Sequence, residues 1–208
     1  MKSHSIFFSL SLIALFVSAN AGCGAATPRS AGLDSDRLIP RNLYPMHDGY
    51  VWSYNVDTGT GMNTFAVSRV VSVEGSRVAI SNGGEELLYE LREEGIFRPQ
   101  SGTWLLKAPI EVGATWETSG GLEARVVSVT EHVSVPAGEY DGCVEIVEEG
   151  GDSGRRIRTI YCAGVGPTVI ESTQTLQLRD EPLAVRGQLM GLVRGAEDAE
   201  EPEGYEGP

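Results

Sequence analysis

Apolar side chains recur at every second position through much of this chain. Tyr50, Trp52, Tyr54 and Val56 alternate with Val51, Ser53 and Asn55. Phe65, Val67, Val71 and Val73 share one face of the next run, and Val127, Val129, Val133 and Val135 share one in a later run. A period of two places alternate side chains on one side of an extended chain, so these runs are read as half-buried strands. Glycine-rich breaks separate them at residues 58–61, Glu74-Gly75-Ser76, Asn82-Gly83-Gly84, Glu93-Glu94-Gly95 and Ser119-Gly120-Gly121. Breaks this short join antiparallel neighbours, because a parallel pair needs a crossover of about a dozen residues. The segment 85–94 is the one helical competitor, since Leu87, Leu88 and Leu91 fit a helix face. Tyr89 and Leu91 followed by Gly95-Ile96-Phe97 fit strand, turn and strand, and that reading is adopted. The expected fold is all-β, with about ten antiparallel strands in a meander forming a strongly curved sheet, a half-barrel or a sandwich.

An internal echo divides the meander. Pro45-x-x-x-Gly49-x-x-Trp52 recurs as Pro109-x-x-x-Gly113-x-x-Trp116, shifted by 64 positions. Proline and glycine set a turn entering a strand, and the tryptophan three residues on can point into the core. The pattern suggests two pseudo-repeats of about five strands each, with chance recurrence of turn residues as the alternative.

The N-terminus reads as an export signal. Lys2 supplies the positive charge, residues 6–17 are mostly apolar, and residues 18–22 are small or polar. About twelve apolar residues reach about 18 Å as a helix, short of the ~30 Å hydrocarbon core, so the run is not a spanning helix. Two processing routes fit. Ala21-Gly22-Cys23 resembles the bacterial lipobox, with Cys23 receiving lipid, although Asn20 stands where that pattern usually has leucine. Ala19-Asn20-Ala21 is an ordinary A-x-A cleavage site. By analogy with lipoproteins, Gly24 in place of the aspartate of inner-membrane retention favours the outer membrane, on its periplasmic face. The domain reading is therefore a signal peptide over 1–22, a flexible tether over 23–43, an all-β domain over 44–180 and a C-terminal extension over 181–208. That extension ends in residues 195–208, which carry six acidic residues and no basic one and read as a solvated tail.

Cys143 and Cys162 flank a hairpin in a compartment that permits disulfides. With its turn centred at Asp152-Ser153, residues whose numbers sum to 305 face each other, as 143 and 162 do. A disulfide is expected between them. In that register Val144, Ile146, Ile157 and Tyr161 share a face. No C-x-x-C is present and neither cysteine has a second ligand at metal spacing, so neither a metal nor a redox role is expected.

Reactive constellations are weak. Gly151-Asp152-Ser153-Gly154 resembles the G-D-S-G around the nucleophile of trypsin-like proteases, but Arg155 and Arg156 follow it and no histidine has the matching context. The four residues make a natural hairpin turn instead. His47 and His132 lack metal-ligand spacing and read as loop or surface residues. Glu85-Glu86, Glu93-Glu94 and Glu148-Glu149 read as solvated surface rather than as a glycosidase pair. No phosphate loop or dinucleotide fingerprint is present, and no cofactor is expected. The 29 acidic against 16 basic residues, a net charge of −13, argue against nucleic acid as a partner.

Four motifs in order carry a family resemblance. They are Tyr44-Pro45…Gly49…Trp52-Ser53-Tyr54; Leu105-Leu106-Lys107-Ala108-Pro109…Val112-Gly113…Trp116; Val135-Pro136-Ala137-Gly138-Glu139-Tyr140…Cys143; and Tyr161-Cys162-Ala163-Gly164-Val165-Gly166. Together, over residues 44–178, they resemble the TapB-like bacterial envelope proteins, exported proteins and lipoproteins of unassigned function. The resemblance implies an exported all-β domain and no catalytic residues; Cys162 departs from it, so the expected disulfide rests on spacing alone. A looser, architectural likeness is to curved-sheet lipid carriers of the lipoprotein-sorting type. The functional expectation is a non-enzymatic binding or assembly module, anchored through lipid on Cys23, with an envelope protein as its partner. The alternative is a carrier of an apolar ligand or lipid, with Trp52, Trp104 and Trp116 lining a concave sheet rather than filling a core. A hydrolase is the remote third reading.

Overall fold

A computed structural model describes residues 35–151, 154–175 and 182–195. The signal peptide, Cys23, the first part of the tether, the Asp152-Ser153 turn centre and the acidic tail lie outside the described residues. Twelve strands occur among those described, all antiparallel to their neighbours. They are β1 (Val51–Asp57), β2 (Asn63–Glu74), β3 (Arg77–Asn82), β4 (Glu85–Arg92), β5 (Gly95–Arg98) and β6 (Thr103–Lys107). The second half comprises β7 (Thr115–Glu117), β8 (Glu123–Val135), β9 (Gly138–Glu149), β10 (Arg155–Cys162), β11 (Gly166–Gln174) and β12 (Leu183–Val193).

One sheet holds them all, in the order β6-β5-β4-β3-β2-β1-β12-β11-β10-β9-β8-β7. Each half is a six-stranded meander. β1 and β12 zip the halves together, and the outer strands β6 and β7 come side by side without pairing. The sheet is thus a barrel, closed everywhere but at that seam. Two-residue turns drive the tight hairpins: Gly75-Ser76, Gly83-Gly84 and Glu93-Glu94 join pairs whose flanking residues face each other directly.

The expected all-β meander is present, with twelve strands rather than ten and six per half rather than five. The two Pro-Gly-Trp turns are built alike. Tyr50 N–H donates to His47 O at 3.2 Å and Ala114 N–H to Glu111 O at 3.0 Å. The carbonyls of Tyr50 and Ala114 then accept from Val70 (2.9 Å) and Val126 (3.0 Å) of the following strand. Gly49 and Gly113 take φ of 74° and 91°, which a side chain would resist. Trp52 and Trp116 are both buried at the start of their halves.

The folded region is wider than 44–180. Leu183–Val193 is the central strand β12, paired to β1 from Val51↔Val193 to Asp57↔Arg186 and to β11 on its other side. Its alternation is broken by Gly187 and Gly191, which hid it in the sequence. Upstream, a 3-10 turn (Ser35–Leu38) and the short helix α1 (Pro40–Leu43) pack Leu43, Tyr44 and Met46 into the core, so 35–43 is no tether. Gly164 N–H donates to Asn42 O and Arg41 Nη2 to Leu91 O, fixing this segment against both halves.

Two expected apolar faces are corrected. On β2, Phe65 and Val67 point outwards, Phe65 being 73% exposed, while Val70 is buried. Val71 and Val73, past a register shift between Val70 and Ser72, are exposed as well. On β8, Val127 is exposed and Val126 buried, and three register shifts then return Val133 and Val135 to the interior. The far end of the β8–β9 hairpin lies against β11 and β12, with Ala137 N–H donating to Leu189 O at 3.0 Å.

Candidate functional site

The β9–β10 register is the one the cysteine spacing implies: Val144 faces Tyr161 and Glu149 faces Arg156. Cys143 and Cys162 are bonded, with Cα atoms 4.4 Å apart, the separation of the closer kind of antiparallel pair. Both are buried. The same register sends Val144, Ile146, Thr159 and Tyr161 to the inner face. It also sends Glu148 there, since it faces Ile157. Glu148 is 6% exposed, whereas Glu149 lies outside and pairs with Arg156 at 3.2 Å. The reading of both as solvated surface therefore fails for Glu148, because alternation must put one of two adjacent residues inside.

Inner-facing residues of both halves enclose a cavity of about 360 Å³. Ile80, Leu87, Leu105, Ile157 and Ile170 give it apolar walls. Tyr44, Tyr54, Tyr89 and Tyr161 add four phenols, and Arg98, Arg155 and Glu148 bring charge. The phenols are held neutral. Burial raises the pKa of Tyr44, Tyr54 and Tyr161 well above the ordinary tyrosine value, and raises Tyr89 against the opposing pull of Arg98. Tyr54 donates to Pro167 O at 2.9 Å.

A polar relay crosses the seam. Arg98, the last residue of β5, donates through Nη1 to Thr118 Oγ1 (2.8 Å) and Ser119 Oγ (3.2 Å), just beyond β7. Thr118, 1% exposed, donates in turn to Glu148 Oε2 at 2.9 Å. Three elements that share no backbone pairing are thereby tied through buried, charge-assisted bonds. A second cavity of about 420 Å³ shares Leu87, Tyr89, Arg98 and Ser119 with the first, and adds Glu85, Glu86, Gln100 and Ser101.

No tryptophan lines either cavity. Trp52 is core, its Nε1 donating to Val165 O at 2.7 Å; Trp116 is core, and its Nε1 has no acceptor among the described residues. Trp104 sits on the outer face against Phe97, with Arg92 over the Phe97 ring at 3.5 Å. His132 is exposed and pairs with Asp141 at 2.7 Å; that hydrogen bond raises its pKa. His47 stacks on Tyr50. Among the described residues no group of three or more His, Cys, Asp or Glu could hold a metal ion, and no helix is long and apolar enough to cross a membrane.

Sequence reasoning missed Arg98, Thr118 and Glu148. Alternation from Ile146 along β9 could have placed Glu148 inside; the Arg98 contact spans the seam and left no local signal.

The molecule is a twelve-stranded antiparallel barrel, unpaired along one seam, with a mixed polar and apolar interior. Two solved structures are similar to it: a candidate exported protein with a YmcC-like fold from Bacteroides fragilis, and a candidate lipoprotein from Parabacteroides distasonis. Each is 14% identical and covers 73% of this chain and 98% of its own, with TM-scores of 0.43 and 0.41 respectively. No protein-family model matches the chain, so the TapB-like resemblance rests on its four motifs. No curated protein matches it either.

Proposed function

We propose that this chain is a non-enzymatic binding module of the bacterial envelope that takes a small ligand inside the barrel. The cavity carries this reading: about 360 Å³ lies within the range of small-ligand pockets, with apolar walls and a few polar groups among them. Its size argues against a multi-chain lipid. An engineered cavity of about 150 Å³ holds one benzene, so this one suits a ligand of about a dozen heavy atoms. Binding rather than catalysis is favoured by the lining, which among the described residues offers no histidine or cysteine and one carboxylate, Glu148, already engaged by Thr118. Thermal unfolding of the full chain against small amphiphiles tests this. A midpoint that rises with ligand concentration supports it, and an unmoved midpoint throughout refutes it.

The N-terminal signal supports export, and Ala21-Gly22-Cys23 supports a lipid anchor on Cys23 at the periplasmic face of the outer membrane. Metabolic labelling with a palmitate analogue tests the anchor; unlabelled protein, or label undiminished in Cys23→Ala, overturns it. A second reading, an assembly role with a protein partner, is favoured by the outward apolar residues Phe65 and Val67 on β2. Phe65→Ser would then weaken cross-linking to that partner while leaving the fold and cavity binding intact.

A further inference from the structure

The cavity's chemistry points to the charge of its occupant. The chain as a whole is strongly acidic, at −13, yet the cavity lining holds the guanidinium of Arg98. Among the described residues no carboxylate oxygen approaches Arg98 within ion-pair distance. It donates to the hydroxyls of Thr118 and Ser119 and has the Tyr89 hydroxyl beside it, and Glu148 is reached only through Thr118. Guanidinium carries five donors, and these neutral hydroxyls leave part of that capacity for other partners. Phenols extend the surplus of donors. Tyr44 and Tyr89 both line the cavity, and Tyr89 stands beside Arg98. Burial keeps these phenols protonated, hence able to donate. Ile80, Leu87, Leu105 and Ile170 supply apolar wall to the same cavity.

We propose that the cavity binds a single-chain amphiphile with an anionic head, a carboxylate or a phosphate monoester, seated at Arg98 with its apolar body along Ile80, Leu87, Leu105 and Ile170. This rests on the binding-module reading above and names its ligand class. A charge-assisted bond to guanidinium is about twice as strong as a neutral one, so head-group charge governs affinity.

Calorimetric titration of the full chain with decanoate, decyl phosphate and 1-decanol tests this, the three differing chiefly at the head. One or both anions are expected to bind at least about tenfold more tightly than decanol. Decanoate alone would assign a carboxylate source, and decyl phosphate alone a phosphate source. Arg98→Met is expected to abolish the preference, bringing both anions to the affinity of decanol, and Arg98→Lys to retain part of it. Should Arg98→Met fail to fold, the wild-type ratio of anion to alcohol decides by itself. Decanol binding as tightly as both anions overturns the anionic head and leaves the binding module standing. No binding by any of the three removes both.

Discussion

Replacing Thr118 by valine isolates the relay that crosses the seam. Valine keeps threonine's branching, so the change removes one hydroxyl and little shape. That hydroxyl accepts from Arg98 at 2.8 Å and donates to Glu148 at 2.9 Å, at a side chain 1% exposed. Hydrogen bonds to charged groups contribute about 1.5–3 kcal/mol each. Two of them set an upper limit of about 6 kcal/mol, and two features lower it. Arg98 keeps Ser119 at 3.2 Å, and both charged side chains border a cavity through which they can rehydrate. The expected loss is about 3 kcal/mol, chiefly from Glu148 left buried with one donor fewer. At about 2–4 °C per kcal/mol for a domain of this size, the melting midpoint falls by about 6–12 °C. Urea unfolding followed by far-ultraviolet circular dichroism should show a lower midpoint with unchanged slope. Ser119→Ala, which removes only the longer bond, should lose about 1 kcal/mol or less. A Thr118→Val loss below about 1 kcal/mol would refute the claim that this relay holds the seam.

Further outcomes follow from other parts of the fold. Cys143→Ala with Cys162→Ala should destabilise by about 2–4 kcal/mol, since the bridge closes a local hairpin, and non-reducing alkylation of wild type should find neither thiol free. Trp52→Phe should cost about 1–2 kcal/mol more than Trp116→Phe, because only the Trp52 indole gives up a hydrogen bond; equal losses in chemical denaturation would contradict this. Nuclear magnetic resonance should find His132 titrating above the ordinary histidine value, and Asp141→Asn should bring it back. Because the folded pKa is the higher one, this pair's small contribution to stability is complete below about pH 6.5. It fades as pH rises through the folded value. A His132 that titrates identically in both proteins would rule the pair out in solution.

Strand positions and the disulfide were legible because they depend on neighbours in sequence. Two-residue turns with glycine or paired glutamates fix the register of the residues beside them, and the β9–β10 register then follows by counting. Legibility ended where the register slips. On both sides of the slip between Val70 and Ser72 the residues read as one apolar face, Phe65, Val67, Val71 and Val73, are exposed, and Val70 is the buried one. β12 was hidden for a related reason. Gly187 pairs with both Val56 and Ile170 in the middle of the sheet, where a strand buried between two partners needs no apolar side chain of its own at every inward position.

The site itself was the least legible part, and the reason is topological. Arg98 lies 20 residues from Thr118, and Thr118 lies 30 from Glu148. They meet only because β6 and β7 arrive side by side at the end of a twelve-strand circuit. Each residue taken alone has an ordinary reading: an arginine before a Pro-Gln turn, a threonine after a short strand, one of two adjacent glutamates. What distinguishes Glu148 from Glu149 is parity, and that parity is set by the hairpin the disulfide clamps. A one-residue slip of β10 against β9 would turn Glu148 or its partners out of the interior and separate the cysteines together. The buried covalent link and the polar relay therefore depend on a single register. Breaking the disulfide should loosen ligand binding as well as lower stability, and an affinity untouched in the doubly substituted protein would show that the two are independent.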